Sequence, residues 1–123
     1  MSRQLSFLFD EHVALAIQAQ LAEREPTLRI YAVGRGEAPP RGTPDPFLLT
    51  WIEAHQCLLV TNNRATMPVH LNAHLSNGHH VPGLIQLPRR MNIGEVIDDL
   101  LLIWAASEPR ELQDQILYLP LKR

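Results

Sequence analysis

Short apolar runs without polar alternation restrict the fold of this chain more than any other feature. The clearest is CLLVT at 57–61, in which four successive residues are apolar. A strand of this kind is typical of a parallel sheet that is covered on both faces. Comparable runs lie at 5–9, 28–33, 81–87 and 116–121. Because parallel strands need a long connection between them, the segments between the runs should be helices.

These segments do have helical spacing. Within 12–24, apolar residues recur at i, i+4 and i+8. Three further helices are predicted at 46–55, 67–78 and 92–107. In the second helix, we expect Phe47 and Trp51 to face inward. Alternating strands and helices predict an α/β fold, with a doubly wound, mainly parallel sheet and helices on both faces. The 123 residues fit a single domain, 1–123.

Composition narrows the class of protein. A net charge of -2 argues against a large basic field, so contact with nucleic acid would need a local site. No apolar run approaches the roughly 20 residues of a membrane span, and the first residues lack the small-residue cleavage site of a signal peptide. The single cysteine, Cys57, excludes an internal disulfide framework. We therefore expect a cytoplasmic protein with no membrane partner.

Polar side chains gather where the predicted strands end. Asp10 and Glu11 follow the first run in FLFDEH, and TNN at 61–63 follows the third. Asp45 precedes the second helix in Pro-Asp-Pro. Since the carboxyl ends of parallel strands share one edge of the sheet, these carboxylates suit a Mg²⁺ or Mn²⁺ site. In the structural alternative, Asp45 is an N-cap before Pro46 and the acid pair begins a helix at its positive end.

The order of these segments resembles the PIN-like domain family, small bacterial proteins related to the PIN-domain nuclease toxins of toxin–antitoxin pairs. FLFDEH resembles the opening strand and acid pair of the family. GRGEAPPRGTPDPFLLTWIEAHQCLLVT resembles its glycine-rich loop, Asp, helix and strand ending in Thr. NNRATM lies at a turn that usually carries an Asp, and VPGLIQLPRRMNIGEVIDDLLLIWAAS resembles the closing strand and long helix. The resemblance extends over nearly the whole chain.

The resemblance implies a PIN-like fold and a Mg²⁺- or Mn²⁺-dependent endoribonuclease. It also implies single-stranded RNA as substrate, an antitoxin protein as partner and a homodimer. Asp10 and Asp45 match the metal-binding acids, and Glu11 is a third or supporting acid. Asn63 occupies the remaining catalytic and metal position, where the family usually has Asp. Because Asn is neutral, metal binding should weaken and a candidate base for the attacking water is lost. The alternative function is therefore a degenerate PIN-like module that binds RNA or a protein without cutting.

Three other residues near this edge are assigned to the substrate. Arg64 would hold a phosphate, Thr61 would bond near the metal, and His12 would touch a phosphate beside the acid pair. Each also has a structural interpretation: a solvated Arg in a loop, a Thr that ends its strand, and a His in the first turn of a helix.

Four histidines, His70, His74, His79 and His80, lie close together in the sequence. His70 and His74 are four residues apart and would share a helix face, as zinc ligands can. No HExxH motif and no cysteine pair accompanies them. A polar helix face followed by a turn is therefore the favoured interpretation, and the role of the group is left open.

Overall fold

The computed structural model of the chain describes residues 5–121. Its strands are β1 Ser6–Phe9, β2 Ile30–Ala32, β3 Cys57–Thr61, β4 Leu84–Gln86 and β5 Ile116–Tyr118. Its helices are α1 Leu15–Arg24, α2 Asp45–His55, α3 Met67–Ser76, α4 Ile93–Ala106 and α5 Pro109–Leu112. None of the helices in this part of the chain is long and apolar enough to cross a membrane.

The five strands form one parallel sheet in the order β2-β1-β3-β4-β5. The predicted α/β class and parallel sheet are therefore confirmed. β1 lies between β2 and β3, with Leu8 paired to Tyr31 on one side and to Leu59 on the other. The chain thus leaves β1 toward one side of the sheet and later reaches β3 on the other. Ligands of open parallel sheets bind outside the carboxyl ends of the strands at such a reversal.

Two of the longer helices cover each face of the sheet, and Leu112 of the short helix α5 joins one of the two cores. Phe7 lies in a core with apolar residues of α1 and α4, whereas Leu8 lies in a separate core with α2 and α3. Successive residues of a strand point to opposite faces, which is why neighbouring positions of β1 enter different cores. Burial on both faces also explains the lack of polar alternation in β3, where all five residues are buried.

The connection through α4 has the opposite hand to the other three. The step from β1 to β2 and the step from β4 to β5 run in opposite directions across the sheet, yet α1 and α4 cover the same face. The crossovers from β2 to β3 and from β3 to β4 run in the direction opposite to that from β1 to β2, and their helices, α2 and α3, cover the opposite face. Because both direction and face are reversed, these two crossovers have the same handedness as the one through α1. Parallel crossovers are right-handed in about 98% of cases, so one reversed connection is an uncommon feature.

The start of α2 differs from the prediction. Its N-cap is Pro44, in an extended conformation, and Asp45 is the first helical residue, so the prediction of Asp45 as N-cap was wrong. The Asp45 carboxylate accepts a hydrogen bond from Nδ2 of Asn63. An acid in the first turn still interacts favourably with the positive end of α2.

The buried stripe of α2 also differs from the prediction. It consists of Leu48, Leu49 and Ile52, which leaves Phe47 65% exposed. The prediction that Phe47 faces inward was therefore wrong. Trp51 is partly buried and meets the ring of Tyr31 edge to face at 5.2 Å.

Two boundaries have local causes that the periodicity did not reveal. α1 begins at Leu15, three residues later than predicted, because a turn intervenes in which the N–H of Val13 donates to the carbonyl of Asp10 at 3.1 Å. The short helix α5 was not predicted. It begins with a capping box in which the side chains of Glu108 and Glu111 accept each other's backbone N–H.

Candidate active site

Asp10 and Thr61 meet where β1 and β3 end. The N–H of Asp10 donates to the carbonyl of Val60 at 3.0 Å, which continues the strand pairing by one residue. The buried Asp10 carboxylate accepts the Thr61 hydroxyl on Oδ2 at 2.8 Å. Its Oδ1 accepts the backbone N–H of Glu11, also at 2.8 Å. These bonds fix the carboxylate in place, and each oxygen has a second lone pair for a further partner.

Asn63 connects this pair to Asp45. The backbone N–H of Asn63 donates to Thr61 Oγ1 at 3.1 Å. Its side-chain Nδ2 donates to Asp45 Oδ2 at 2.8 Å. A continuous series of hydrogen bonds therefore runs from Asp10 through Thr61 and Asn63 to Asp45. The structure thus brings together four residues from the ends of β1 and β3, the turn after β3, and the start of α2.

The Asn63 amide has a defined orientation. Its Oδ1 accepts the backbone N–H of Thr66 at 3.2 Å, a bond that only the oxygen can make. The NH₂ group must then point the other way, where it donates to Asp45 Oδ2 and to Thr66 Oγ1, each at 2.8 Å. In this orientation Asn63 offers Asp45 hydrogen atoms and not an oxygen. To share a metal ion with Asp45, Asn63 would have to turn its oxygen toward Asp45 and away from the Thr66 N–H.

Glu11 connects the site to the loop between β2 and α2. Its Oε1 accepts the backbone N–H of Gly42 at 2.9 Å. Turns organise the loop itself: the N–H of Gly34 donates to the carbonyl of Pro39 at 2.8 Å, and Ala38 and Pro39 are buried. The glycine-rich loop that the resemblance implies before Asp45 is therefore present as a segment with its own hydrogen bonds. Glu11 is therefore both an acid at this edge and an anchor for the loop before Asp45.

His70 belongs to the site, although no functional role was predicted for it. Its Nε2 lies 3.8 Å from Asp45 Oδ2, and its side chain is partly exposed. α3 begins directly after the turn that holds Asn63, and the N–H of His70 donates to the carbonyl of Thr66 at 3.1 Å. The first turn of α3 therefore carries His70 back toward Asp45. The sequence shows only that His70 follows the turn of Asn63 by about one helical turn. Its approach to Asp45 depends on how α3 packs against α2, which the sequence does not specify.

Two of the residues assigned to the substrate, Arg64 and His12, lie around the rim, together with two further arginines. Arg64 is exposed in the turn between β3 and α3. The His12 side chain is exposed, and its carbonyl accepts Nδ2 of Asn62 at 3.0 Å. Arg89 and Arg90 are exposed just beyond the end of β4, beside β3 in the sheet. The carboxyl edge thus combines one buried acid, Asp10, and two partly buried acids, Glu11 and Asp45, with several exposed arginines.

The ligand atoms of this site are of the type that a hard cation prefers, but they do not surround a single point closely. The carboxylates of Asp10, Glu11 and Asp45 supply oxygen only, as Mg²⁺ and Mn²⁺ prefer. Within residues 5–121, the group of three potential ligands whose atoms all lie within 4.8 Å of one another is Glu53, His74 and His79. The oxygens of Asp10, Glu11 and Asp45 are therefore spaced more widely than this. A site with few protein ligands and several waters is the usual arrangement for Mg²⁺.

Comparisons with protein-family models, with curated proteins and with solved structures found no match to this chain. The interpretation of the site therefore depends on the contacts described above and on the resemblance of the sequence segments.

Proposed function

We propose that the chain is a PIN-like, Mg²⁺- or Mn²⁺-dependent endoribonuclease that cuts single-stranded RNA at the carboxyl edge of its sheet. One observation carries the proposal: Asp10 and Asp45, distant in sequence, are joined through Thr61 and Asn63 at the point where the strand order reverses. Acids collected from separate segments at this position are what a phosphodiester-cleaving site requires.

The proposal gives each residue of the site a separate role. Asp10 is held by Thr61 and by the Glu11 N–H, so it presents a fixed carboxylate with spare lone pairs. Asp10 and Asp45 would hold a divalent ion, which would supply charge neutralisation at the phosphate and an activated water. Exposed Arg64 binds a neighbouring phosphate. His70, whose Nε2 lies 3.8 Å from Asp45 Oδ2, is the side chain assigned to donate a proton to the leaving oxygen.

A second candidate function is supported by the Asn63 contact. Nδ2 of Asn63 already satisfies Asp45 Oδ2 without a metal, and no negative charge is present at position 63. A PIN-like module of this kind would bind RNA or a protein partner at the same edge without cutting. The two candidates share the fold and the binding surface and differ only in whether the acids hold a metal ion.

Cleavage of labelled single-stranded RNA in the presence of Mn²⁺ distinguishes these functions. We expect the wild type to cut and Asp10→Asn to lose activity. This substitution keeps the shape of the side chain and an oxygen for Thr61. The matched control is Asp98→Asn, which makes the same chemical change at an exposed position of α4 that forms only a surface ion pair with Arg24.

Each outcome decides between the alternatives. Cutting by the wild type and Asp98→Asn, but not by Asp10→Asn, supports the nuclease at the assigned site. Equal cutting by Asp10→Asn contradicts the site. A silent wild type that gains activity as Asn63→Asp supports the degenerate module. As part of the proposal, a toxin would be encoded beside a small antitoxin reading frame, so the neighbouring gene provides an independent test.

A further inference from the structure

A second cluster of potential ligands lies at the opposite edge of the sheet from Asp10. Nε2 of His74 is 2.9 Å from Oε1 of Glu53, and Nδ1 of His79 is 3.4 Å from the same oxygen. All three ligand atoms lie within 4.8 Å of one another. Glu53 follows Asp45 by eight residues along α2, which places it about 12 Å farther along the helix. The cluster is therefore separate from the candidate active site.

The end of α3 explains why two histidines meet. Gly78 has φ +84 and donates its N–H to the carbonyl of Leu75, while the N–H of His79 donates to the carbonyl of His74. This pair of bonds defines a Schellman motif, in which the third helical residue from the C-cap contacts the residue just after the left-handed glycine. That contact is usually apolar. Here it joins two imidazoles, stacked with ring centroids 4.9 Å apart.

Glu53 reaches this pair because α2 packs against α3. Its Oε2 accepts the backbone N–H of His80 at 3.2 Å, which leaves Oε1 directed at the two rings. Burial opposes ionisation of Glu53, but the hydrogen bonds from the His80 N–H and from His74 outweigh it and lower the pKa of the carboxyl below its usual value of 4.5. The cluster therefore contains a carboxylate in contact with two imidazoles.

The spacing is close to what a tetrahedral metal site needs. With metal–ligand bonds of about 2.0–2.1 Å, ligand atoms at tetrahedral angles lie about 3.3 Å apart. The two distances from Glu53 Oε1, 2.9 and 3.4 Å, lie on either side of this value. Metal binding would need the two stacked rings to turn until both nitrogens face one point, together with loss of the proton between His74 and Glu53.

We propose that Glu53, His74 and His79 form a binding site for a zinc-type divalent ion. Two imidazoles and a carboxylate are the ligand set of open zinc sites, with the fourth position left to water. Such a set also favours zinc-type ions over Mg²⁺, which prefers oxygen ligands. The ion would connect α2 to the turn after α3, at the edge of the sheet away from the Asp10 site.

Titration of the untagged protein with Zn²⁺ in a calorimeter tests this site. We expect one Zn²⁺ per chain, no competition from Mg²⁺, and a higher unfolding temperature with the ion. His74 is buried, so its replacement could disturb folding. The informative variants are therefore His79→Ala and Glu53→Gln, because the His79 side chain is 57% exposed and Glu53 is only partly buried. Each should weaken Zn²⁺ binding at least about tenfold.

Two controls locate the site. His80→Ala removes the neighbouring imidazole, whose ring contacts Asp114 and not Glu53. This variant should bind Zn²⁺ like the wild type. Asp10→Asn should also bind normally, which separates this ion from the one at the other edge. With Co²⁺ in place of Zn²⁺, we expect the intense visible bands of a tetrahedral ion. The assignment is overturned by any of three results: no saturable Zn²⁺ binding, unchanged binding in His79→Ala and Glu53→Gln, or equal loss in His80→Ala.

Discussion

Replacing Asn63 with Asp should make the stability of the protein depend on divalent cations. In the wild type, Nδ2 of Asn63 donates to Asp45 Oδ2 at 2.8 Å. The substitution exchanges this donor for a second negatively charged oxygen at the same place. The oxygen that accepts the Thr66 N–H is retained, so the turn before α3 should survive. The change therefore affects the two contacts of Nδ2, with Asp45 Oδ2 and with Thr66 Oγ1, and the Thr66 hydroxyl can turn to donate to the new carboxylate.

The destabilisation can be worked from this contact. Losing a hydrogen bond to a charged group costs about 1.5–3 kcal/mol. Two carboxylates that relax to about 4 Å repel each other by about 1 kcal/mol in water and about 4 kcal/mol at an effective dielectric constant of about 20. The Asp45 side chain is 21% exposed, so solvent screens part of the repulsion. We expect a total loss of about 3 kcal/mol without metal.

A divalent cation should restore most of this loss. An ion that binds only the folded state stabilises it by about 2.7 kcal/mol at 100 times its dissociation constant. Urea unfolding of Asn63→Asp, with and without Mn²⁺, measures both effects. The control is Asn62→Asp, which adds the same charge one residue away, where the exposed Asn62 side chain contacts only the His12 carbonyl among the bonds described. It should lose about 1 kcal/mol or less and gain little from Mn²⁺.

If Asn63→Asp is as stable as the wild type in the absence of metal, position 63 does not face Asp45. A second contradicting result is that Mn²⁺ stabilises Asn62→Asp as much as Asn63→Asp. In that case the ion would respond to added charge in general and not to a ligand at position 63.

Three further predictions follow from single contacts. Burial raises the pKa of the Cys57 thiol to about 11, so the thiol of the native protein should resist alkylation at pH 8, and rapid labelling would contradict this. The free energy of unfolding should fall between pH 9 and 11, because only the unfolded state loses the thiol proton in that range. Arg64→Ala should lower the salt dependence of RNA binding by about 0.7 in the log–log slope, whereas Arg110→Ala on α5 should not, as measured by fluorescence anisotropy. Gly83→Ala should destabilise the protein by about 2–4 kcal/mol, because Gly83 has φ +150 and a Cβ there would lie 2.7 Å from the Leu112 carbonyl oxygen. Urea unfolding measures this loss, and an unchanged unfolding midpoint would exclude the clash.

Strands were predicted well because burial on both faces leaves a direct mark on the sequence. β3 was placed at its observed bounds, Cys57–Thr61, since all five residues are buried and its four apolar residues lie in one core or the other. Helix ends were less predictable. At the start of α2, Asp45 has the residue type of an N-cap, but tertiary contact with Asn63 competes for its carboxylate and Pro44 takes the N-cap position. Local propensity cannot show such competition.

The candidate site was predictable only as far as strand ends could be placed. Asp10 and Thr61 end neighbouring strands, so their proximity follows from a parallel sheet in which β1 pairs with β3. The approach of His70 to Asp45 depends on how α3 packs against α2, which sequence spacing does not specify. The same holds for the contact of Glu53 with His74, where the histidine spacing gave a hint but the acid lies on another helix.

The most direct test of the central claim is where Mn²⁺ binds on the folded protein. In NMR spectra of the labelled chain, substoichiometric Mn²⁺ should broaden the backbone amide signals of Asp10, Glu11 and Asn63 most strongly. The signal of Asp114, near the amino-terminal end of the strands, should be spared. Strongest broadening around His74, or none at the end of β1, would contradict a divalent cation site at the carboxyl edge of the sheet.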